Sequence, residues 1–200
     1  DEVKVMKPEG GFLLETNRLS AQKYVAFAAG SGITPILSMA KAIAEVEPNS
    51  EFYIFYGNKD AENIIFKSQL DALAEKNIKT IYIYSRQDSG FALTNGRIDE
   101  GKAKSLVIYH HLENAAGFYL CGPEELIMSA KKGITSLGID EKKVHFELFT
   151  TPVLMESKST GEVSTADFHG LAKVKVIYDD EEFEFNLQTN GESILETAIN

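Results

Sequence analysis

The chain has 200 residues, 44% of them hydrophobic and 25% charged, so a sizeable core is available to one large domain or to one medium domain with pieces of others. A formal net charge of -10 disfavours nonspecific nucleic-acid and anionic-membrane partners, and the single cysteine, Cys121, excludes an internal disulfide or a cysteine-built metal cluster within the chain. No apolar run approaches the roughly 18 residues of a membrane span, and a reducing, cytoplasmic setting is compatible with the cysteine count.

Residues 1–6 alternate like a strand and residues 7–12 form a turn; a terminal strand without a visible partner reads as the end of another unit. Residues 24–28, YVAFA, are nearly continuous in apolar character, as a parallel strand buried on both faces requires. Gly30 and Gly32 follow at once. Thr34 is the expected N-cap and Pro35 the expected first helical residue of a segment with Ile36, Met39, Ala40 and Ile43 at helical spacing. Strand, glycine turn and helix start together form a ready anion site, because unpaired amides and the positive end of the helix dipole converge there. A turn that only packs strand on helix is the competing reading.

Further strands are expected at 51–56, 80–84, 116–120 and 144–149, and further helices at 63–76, 99–112 and 124–137. Strands alternating with helices predict an α/β fold, a five-stranded parallel doubly wound sheet of order 3-2-1-4-5. Residues 151–172, rich in Thr, Ser, Gly and Glu, read as a linker, and 173–187 as a hairpin followed by a helix start. The expected organisation is therefore a nucleotide-sized domain at 23–150, a linker at 151–172, and β-rich pieces of flanking domains at 1–22 and 173–200.

In such a sheet, ligands sit outside the carboxyl ends of the strands where strand order reverses. That point lies between the first and fourth strands, so Gly30, Ser31 and Gly32 are expected to face Cys121, Gly122 and Pro123 across one crevice. The second strand runs into Tyr56, Gly57, Asn58 and Lys59, and the third into Ser85 and Arg86. A hydroxyl and cations there suit a ribose 2′-phosphate, since arginine offers a charge-assisted fork. Solvated loop charge is the alternative for Lys59 and Arg86. His110 and His111 read as surface residues rather than metal ligands.

As a set, these residues resemble the pyridine-nucleotide domain of the ferredoxin-NADP reductase superfamily: GSGITP at 30–35 is similar to its GxGxxP loop, YGNK at 56–59 to its YGxR element, and CGP at 121–123 to its CGP turn. More narrowly, FYGNKDAENIIFKSQL, the Ser85 and Arg86 pair, NGRID at 95–99 and HFELFTTP at 145–152 resemble the reductase components of phenylacetyl-CoA ring epoxidases. The resemblance implies a chain of an FAD barrel, an NADPH domain and a plant-type 2Fe-2S ferredoxin domain, of which residues 1–12 are similar to the last barrel strand and 173–199 to the opening of the ferredoxin unit. It implies hydride transfer from NADPH to FAD and electron delivery through the cluster to an oxygenase component. By position, Gly30, Gly32, Thr34 and Pro35 would cradle the pyrophosphate and border the nicotinamide. Ser85 and Arg86 would grip the 2′-phosphate, and Tyr56 and Lys59 would flank the adenosine half. Cys121, with Gly122 and Pro123, would lie beside the nicotinamide and aim its hydride; without the resemblance Cys121 reads as a small buried strand residue. Glu147 and Phe149 match a segment that approaches the flavin, and Arg97 is a further candidate for holding the nucleotide. Lys59 in place of arginine loses a bidentate donor. Proline at 35, where many dinucleotide loops carry glycine, points to a reductase that hands its hydride to a flavin. A nucleotide-binding module without turnover, and a nucleotide-free interaction domain, are the other classes the sequence allows.

Overall fold

In the computed structural model, residues 10–149, 171–178 and 181–188 are described, and they fall into two compact units that divide between Val153 and Leu154. The first unit holds five parallel strands, β1 (Lys23–Ala29), β2 (Glu51–Asn58), β3 (Ile78–Tyr84), β4 (Gly117–Cys121) and β5 (Val144–Glu147), in the order β3-β2-β1-β4-β5. Helices α1 (Ile33–Val46), α2 (Lys67–Ala72), α3 (Glu100–Tyr109) and α4 (Glu124–Thr135) are the crossovers. The sheet order expected from the sequence is the one observed.

Both faces of the sheet are covered, which is why its central strands are apolar throughout rather than alternating. On one face Val25, Phe27, Tyr53, Phe55, Phe118 and Leu120 meet Leu106 and Val107 of α3 and Ile127, Ala130 and Ile134 of α4. On the other, Tyr24, Ala26, Ala28, Phe52, Ile54 and Tyr56 meet Ile33, Ile36, Ala40 and Ile43 of α1 and Leu70 of α2. Alternate strand residues feed alternate cores, and each helix contributes one stripe. Helices α3 and α4 approach closely at Gly133, where a Cβ would lie 2.5 Å from the Glu100 carbonyl oxygen.

The element ends differ from the sequence expectation for local reasons. Helix α1 begins at Ile33, so Thr34 lies inside the first turn and its hydroxyl donates to the Ser31 carbonyl at 2.9 Å instead of capping. Helix α2 covers only six residues, because Asp60 Oδ1 takes the Glu62 and Asn63 amides and Phe66 adopts a left-handed φ of 59°, holding the preceding segment out of the helix. Helix α3 starts behind Asp99, whose Oδ1 accepts from the Lys102 amide at 2.7 Å, and ends before His110. His110 is half-buried against Tyr53, Phe55 and Tyr109, which corrects its assignment to the surface; His111 is exposed with φ 54°.

Residues 10–22 belong to the first unit. Phe12 packs edge-on against Tyr119 with ring centroids 6.1 Å apart, and the Asn17 amide donates to Glu47. The described residues of the second unit form the antiparallel pair β6 (Leu171–Tyr178) and β7 (Glu181–Gln188), in register from Leu171 against Gln188 to Tyr178 against Glu181. It begins two residues earlier than the sequence pattern indicated. The expected strand at 1–6, the linker up to residue 170 and the helix start after 191 lie outside the described residues. Among the described residues no helix is long and apolar enough to cross a membrane.

Candidate functional site

Residues Gly30–Gly32 form a single tight turn between β1 and α1, and the two glycines do different work. Gly30 has φ +54° and nothing within 4 Å of where its Cβ would be, so the backbone there faces open space. Gly32 is buried, and a Cβ on it would fall inside the Cys121 carbonyl group and 2.7 Å from the Gly122 nitrogen. Gly122, with φ +153°, returns the approach: its Cβ would sit 3.1 Å from the Ala29 nitrogen. Strands β1 and β4 are adjacent with Ala28 paired to Cys121, so the two turns meet where strand order reverses. Beneath them lies Tyr56, fully buried, whose hydroxyl donates to the Gly30 carbonyl at 3.0 Å; burial pushes its pKa up to about 12, which keeps that hydroxyl a donor.

From this junction a cleft of about 410 Å³ runs along the carboxyl ends of β1, β2 and β3. Gly30 and Pro123 stand at one end, with Lys59 and Ser85 among its further lining residues. The floor includes Ile98 and Leu126, both nearly buried. Beyond their strands β2 and β3 stay joined: the Ser85 amide donates to the Asn58 carbonyl at 2.9 Å and the Arg86 amide to the Lys59 carbonyl at 2.8 Å. That ladder brings Lys59, Ser85 and Arg86 side by side. Among the described residues neither cation makes an ion pair. The 85–96 loop closes back onto the sheet through the Gly96 amide on the Tyr84 carbonyl at 2.7 Å, while Lys102 Nζ holds the Asn95 carbonyl. Arg97, Ile98 and Asp99 thereby become a wall of the cleft facing the first turn of α4.

A family described as the oxidoreductase NAD-binding domain matches residues 27–132. The chain belongs to that family. Over 203 aligned residues it is 32% identical to a component of the 1,2-phenylacetyl-CoA epoxidase of Escherichia coli strain K12, an alignment covering 98% of this chain and 55% of that protein. It is 30% identical over 156 residues to a flavohemoprotein of Rhodopirellula baltica, covering 74% of this chain and 36% of that one. The chain thus spans about half the length, or less, of these relatives. Its fold is similar to that of a ferredoxin NADP+ reductase from Neisseria gonorrhoeae solved with FAD and NADP, with a TM-score of 0.55 at 20% identity, covering 70% of this chain and 61% of that one. Residues 27–132 are therefore an oxidoreductase NAD-binding domain, in a fold similar to that of the ferredoxin NADP+ reductase.

In this NAD-binding domain the expected site residues fall into three sets. Gly30, Lys59, Ser85 and Pro123 line the cleft, with Arg86 beside Lys59 at the β2–β3 rim. Gly32, Gly122 and Tyr56 act from behind, fixing the turn from buried or half-buried positions; Thr34 braces the same turn through Ser31, and Pro35 follows half-buried on α1. Cys121 and Glu147 stand on the far side, paired across β4 and β5. The Cys121 thiol is fully buried, and burial first, then the Glu147 carboxylate, push its pKa up to about 11. It is a neutral packing group at physiological pH, unsuited to act as a thiolate. Asn58, Asn63, Asp99 and Leu126 also line the cleft without having been named as site residues, although Asn58, Asn63 and Asp99 lie within the motifs singled out in the sequence. The three-residue step from Pro123 to Leu126 along a helix start was the available signal for Leu126, and Asn58 is the last residue of β2; Asn63 and Asp99 depend on the loops that carry them.

Proposed function

We propose that this domain binds NADPH in the cleft and presents it to a flavin held by a different unit, as the reductase part of a multicomponent oxygenase. The observation that carries the reading is the junction of the Gly30 and Gly122 turns over the start of α1, continuous with a cleft whose β2–β3 end carries Lys59 and Arg86, cations without an ion pair among the described residues. A dinucleotide fits these residues: Gly30 offers open backbone and the α1 start offers amides for pyrophosphate, while Arg86, Ser85 and Lys59 suit a 2′-phosphate. When bound, the nicotinamide supplies a hydride and the flavin accepts it. The chain's own part is positional. Gly32 and Gly122 set the turn, Tyr56 supports it, Pro35 and Pro123 flank it, and Glu147 stands on the flavin-facing side, with Cys121 buried at its pair position in β4.

No 2Fe-2S cluster fits this chain, whose sole cysteine is buried in the sheet. FAD and the cluster are, in this reading, held largely by residues outside this chain, within which 1–22 read as the tail of a flavin barrel, 23–150 as the nucleotide domain, 151–170 as linker and 171–200 as the start of a plant-type ferredoxin unit. The β6–β7 hairpin and the alignment with the epoxidase component over nearly the whole chain support this division. The same component's name supports a phenylacetyl-CoA epoxidase oxygenase as partner; the cytoplasmic setting in this reading is the one compatible with a single cysteine. The chain alone is expected to hold nucleotide without oxidising it. Titration with NADPH and NADH tests the reading: saturable binding, tighter for NADPH by about tenfold or more and levelled by Arg86→Ala, is expected. Equal affinities, or a preference that survives Arg86→Ala, would defeat the 2′-phosphate assignment, and no binding of either would defeat the function.

A further inference from the structure

Arg97 and Glu125 face each other across the cleft, Nη1 to Oε2 3.3 Å, each with its side chain 78% exposed. Their backbones are fixed. Arg97 lies between Gly96, bonded to Tyr84, and Ile98 and Asp99, which are anchored by burial and by the α3 cap. Glu125 sits in the first turn of α4, where the Leu126 amide is already bonded to Pro123. Only the two side chains are free to move, and they lie on walls of the same cleft.

An ion pair this exposed is weak. A phosphate offers arginine a stronger, charge-assisted fork. Glu125 does not lose its stabilisation when the arginine leaves, because a carboxylate in a helix's first turn keeps the favourable field of the helix dipole. The exchange is therefore biased towards an arriving anion. Resting on the nucleotide reading, we infer that Arg97 is a ligand of the dinucleotide pyrophosphate, held in place by Glu125 across the cleft until the nucleotide takes it over. Lys59 and Arg86 serve the 2′-phosphate end, so Arg97 acts on what NADH and NADPH share.

The test is a double-mutant cycle on the full chain, with Kd for NADPH and for NADH measured by titration at physiological ionic strength. Both side chains are exposed, so the substitutions leave folding intact. Arg97→Ala raises both Kd values by the same factor, about tenfold. Glu125→Gln lowers both by about threefold while Arg97 is present, and this gain disappears in the Arg97→Ala background. The inference is overturned if Arg97→Ala changes neither Kd, if it weakens NADPH alone, or if the Glu125→Gln gain is the same with and without Arg97. A wild-type chain that binds neither nucleotide overturns the parent reading, and this inference falls with it.

Discussion

The two ends of the parallel sheet treat polar groups in opposite ways. At the amino ends, Glu47 is 1% exposed, yet its carboxylate accepts from the Asn17 amide at 2.7 Å, the Ser50 hydroxyl at 2.7 Å and the Tyr24 hydroxyl at 3.2 Å. Ser50 Oγ in turn accepts from the Gln22 amide at 3.0 Å, and Asn77 reaches the Pro48 carbonyl at 3.1 Å. At the carboxyl ends, Lys59 and Arg86 make no ion pair among the described residues, Arg97 makes only an exposed one, and Gly30 holds a left-handed backbone beside open space. A buried charge persists only when its hydrogen bonds are complete. Cations outside ion pairs are tolerated along a cleft only because water reaches them, and there they keep their capacity for a ligand. One end of the sheet is closed chemistry and the other is open.

The largest effect is expected where the open end is most tightly built. Gly32→Ala forces a Cβ into the Cys121 carbonyl, and because all three of the nearest contacting atoms are backbone, the β1 and β4 turns must part. We expect a loss of about 3 kcal/mol in urea unfolding together with loss of nucleotide binding. Gly30→Ala meets nothing within 4 Å and should cost only about 1 kcal/mol, for its positive φ. Equal unfolding midpoints for Gly32→Ala and wild type would show that the junction is looser than its geometry.

Next comes the closed end. Glu47→Gln places an amide donor among the donors of Asn17, Ser50 and Tyr24, so at least one of them loses its acceptor. The expected cost is about 2 kcal/mol of stability with Kd for NADPH unchanged. A weakened Kd would erase the separation between the two ends. Tyr56→Phe is smaller and falls on the other side of that comparison: removing the hydroxyl under Gly30 should cost about 1 kcal/mol and, unlike Glu47→Gln, weaken NADPH binding a few-fold. Unaltered affinity in Tyr56→Phe would mean that the turn keeps its shape without support.

The contrast also explains what the sequence could and could not tell. Strand order, the paired turns and the apolar strands were legible because they depend on local composition: both glycine turns sit at strand ends, and 24–28 and 51–56 are apolar on both faces. The division of labour between Gly30 and Gly32 was not legible, since only the approach of the Cys121 carbonyl distinguishes two glycines that look alike in the string. Tyr56 was expected beside the ligand and lies under the loop, because the pleat at its position points into the α1 core. The wall formed by residues 97–99 depends on a loop returning to pair Tyr84 with Asn95, a contact between residues 11 apart in sequence that no periodicity announces. Glu47 gave no signal either: an acidic residue before Pro48 reads as surface until Asn17, Tyr24 and Ser50 close around it.

The smallest effect belongs to His110, which lies between the two ends on the α3 face. Tyr53, Phe55 and Tyr109 surround its ring at 5.7, 5.4 and 5.1 Å, and Lys79, itself bonded to Glu51, stands nearby with His111. Burial first, then the charges of Lys79 and His111, lower its pKa from 6.5. The sign follows directly. Below pH 6.5 the unfolded chain takes up the proton more readily than the folded one, so stability is full above that pH and is lost as the pH falls through the lowered value. Glu51 and Asp71 are also depressed, but from 4.5 and 3.8, so their losses begin at more acid pH. Urea unfolding between about pH 7 and pH 5 should therefore show a decline that His110→Phe flattens, while Kd for NADPH keeps its wild-type value at pH 7. An unflattened slope would move the titration to another group and leave His110 a packing residue alone.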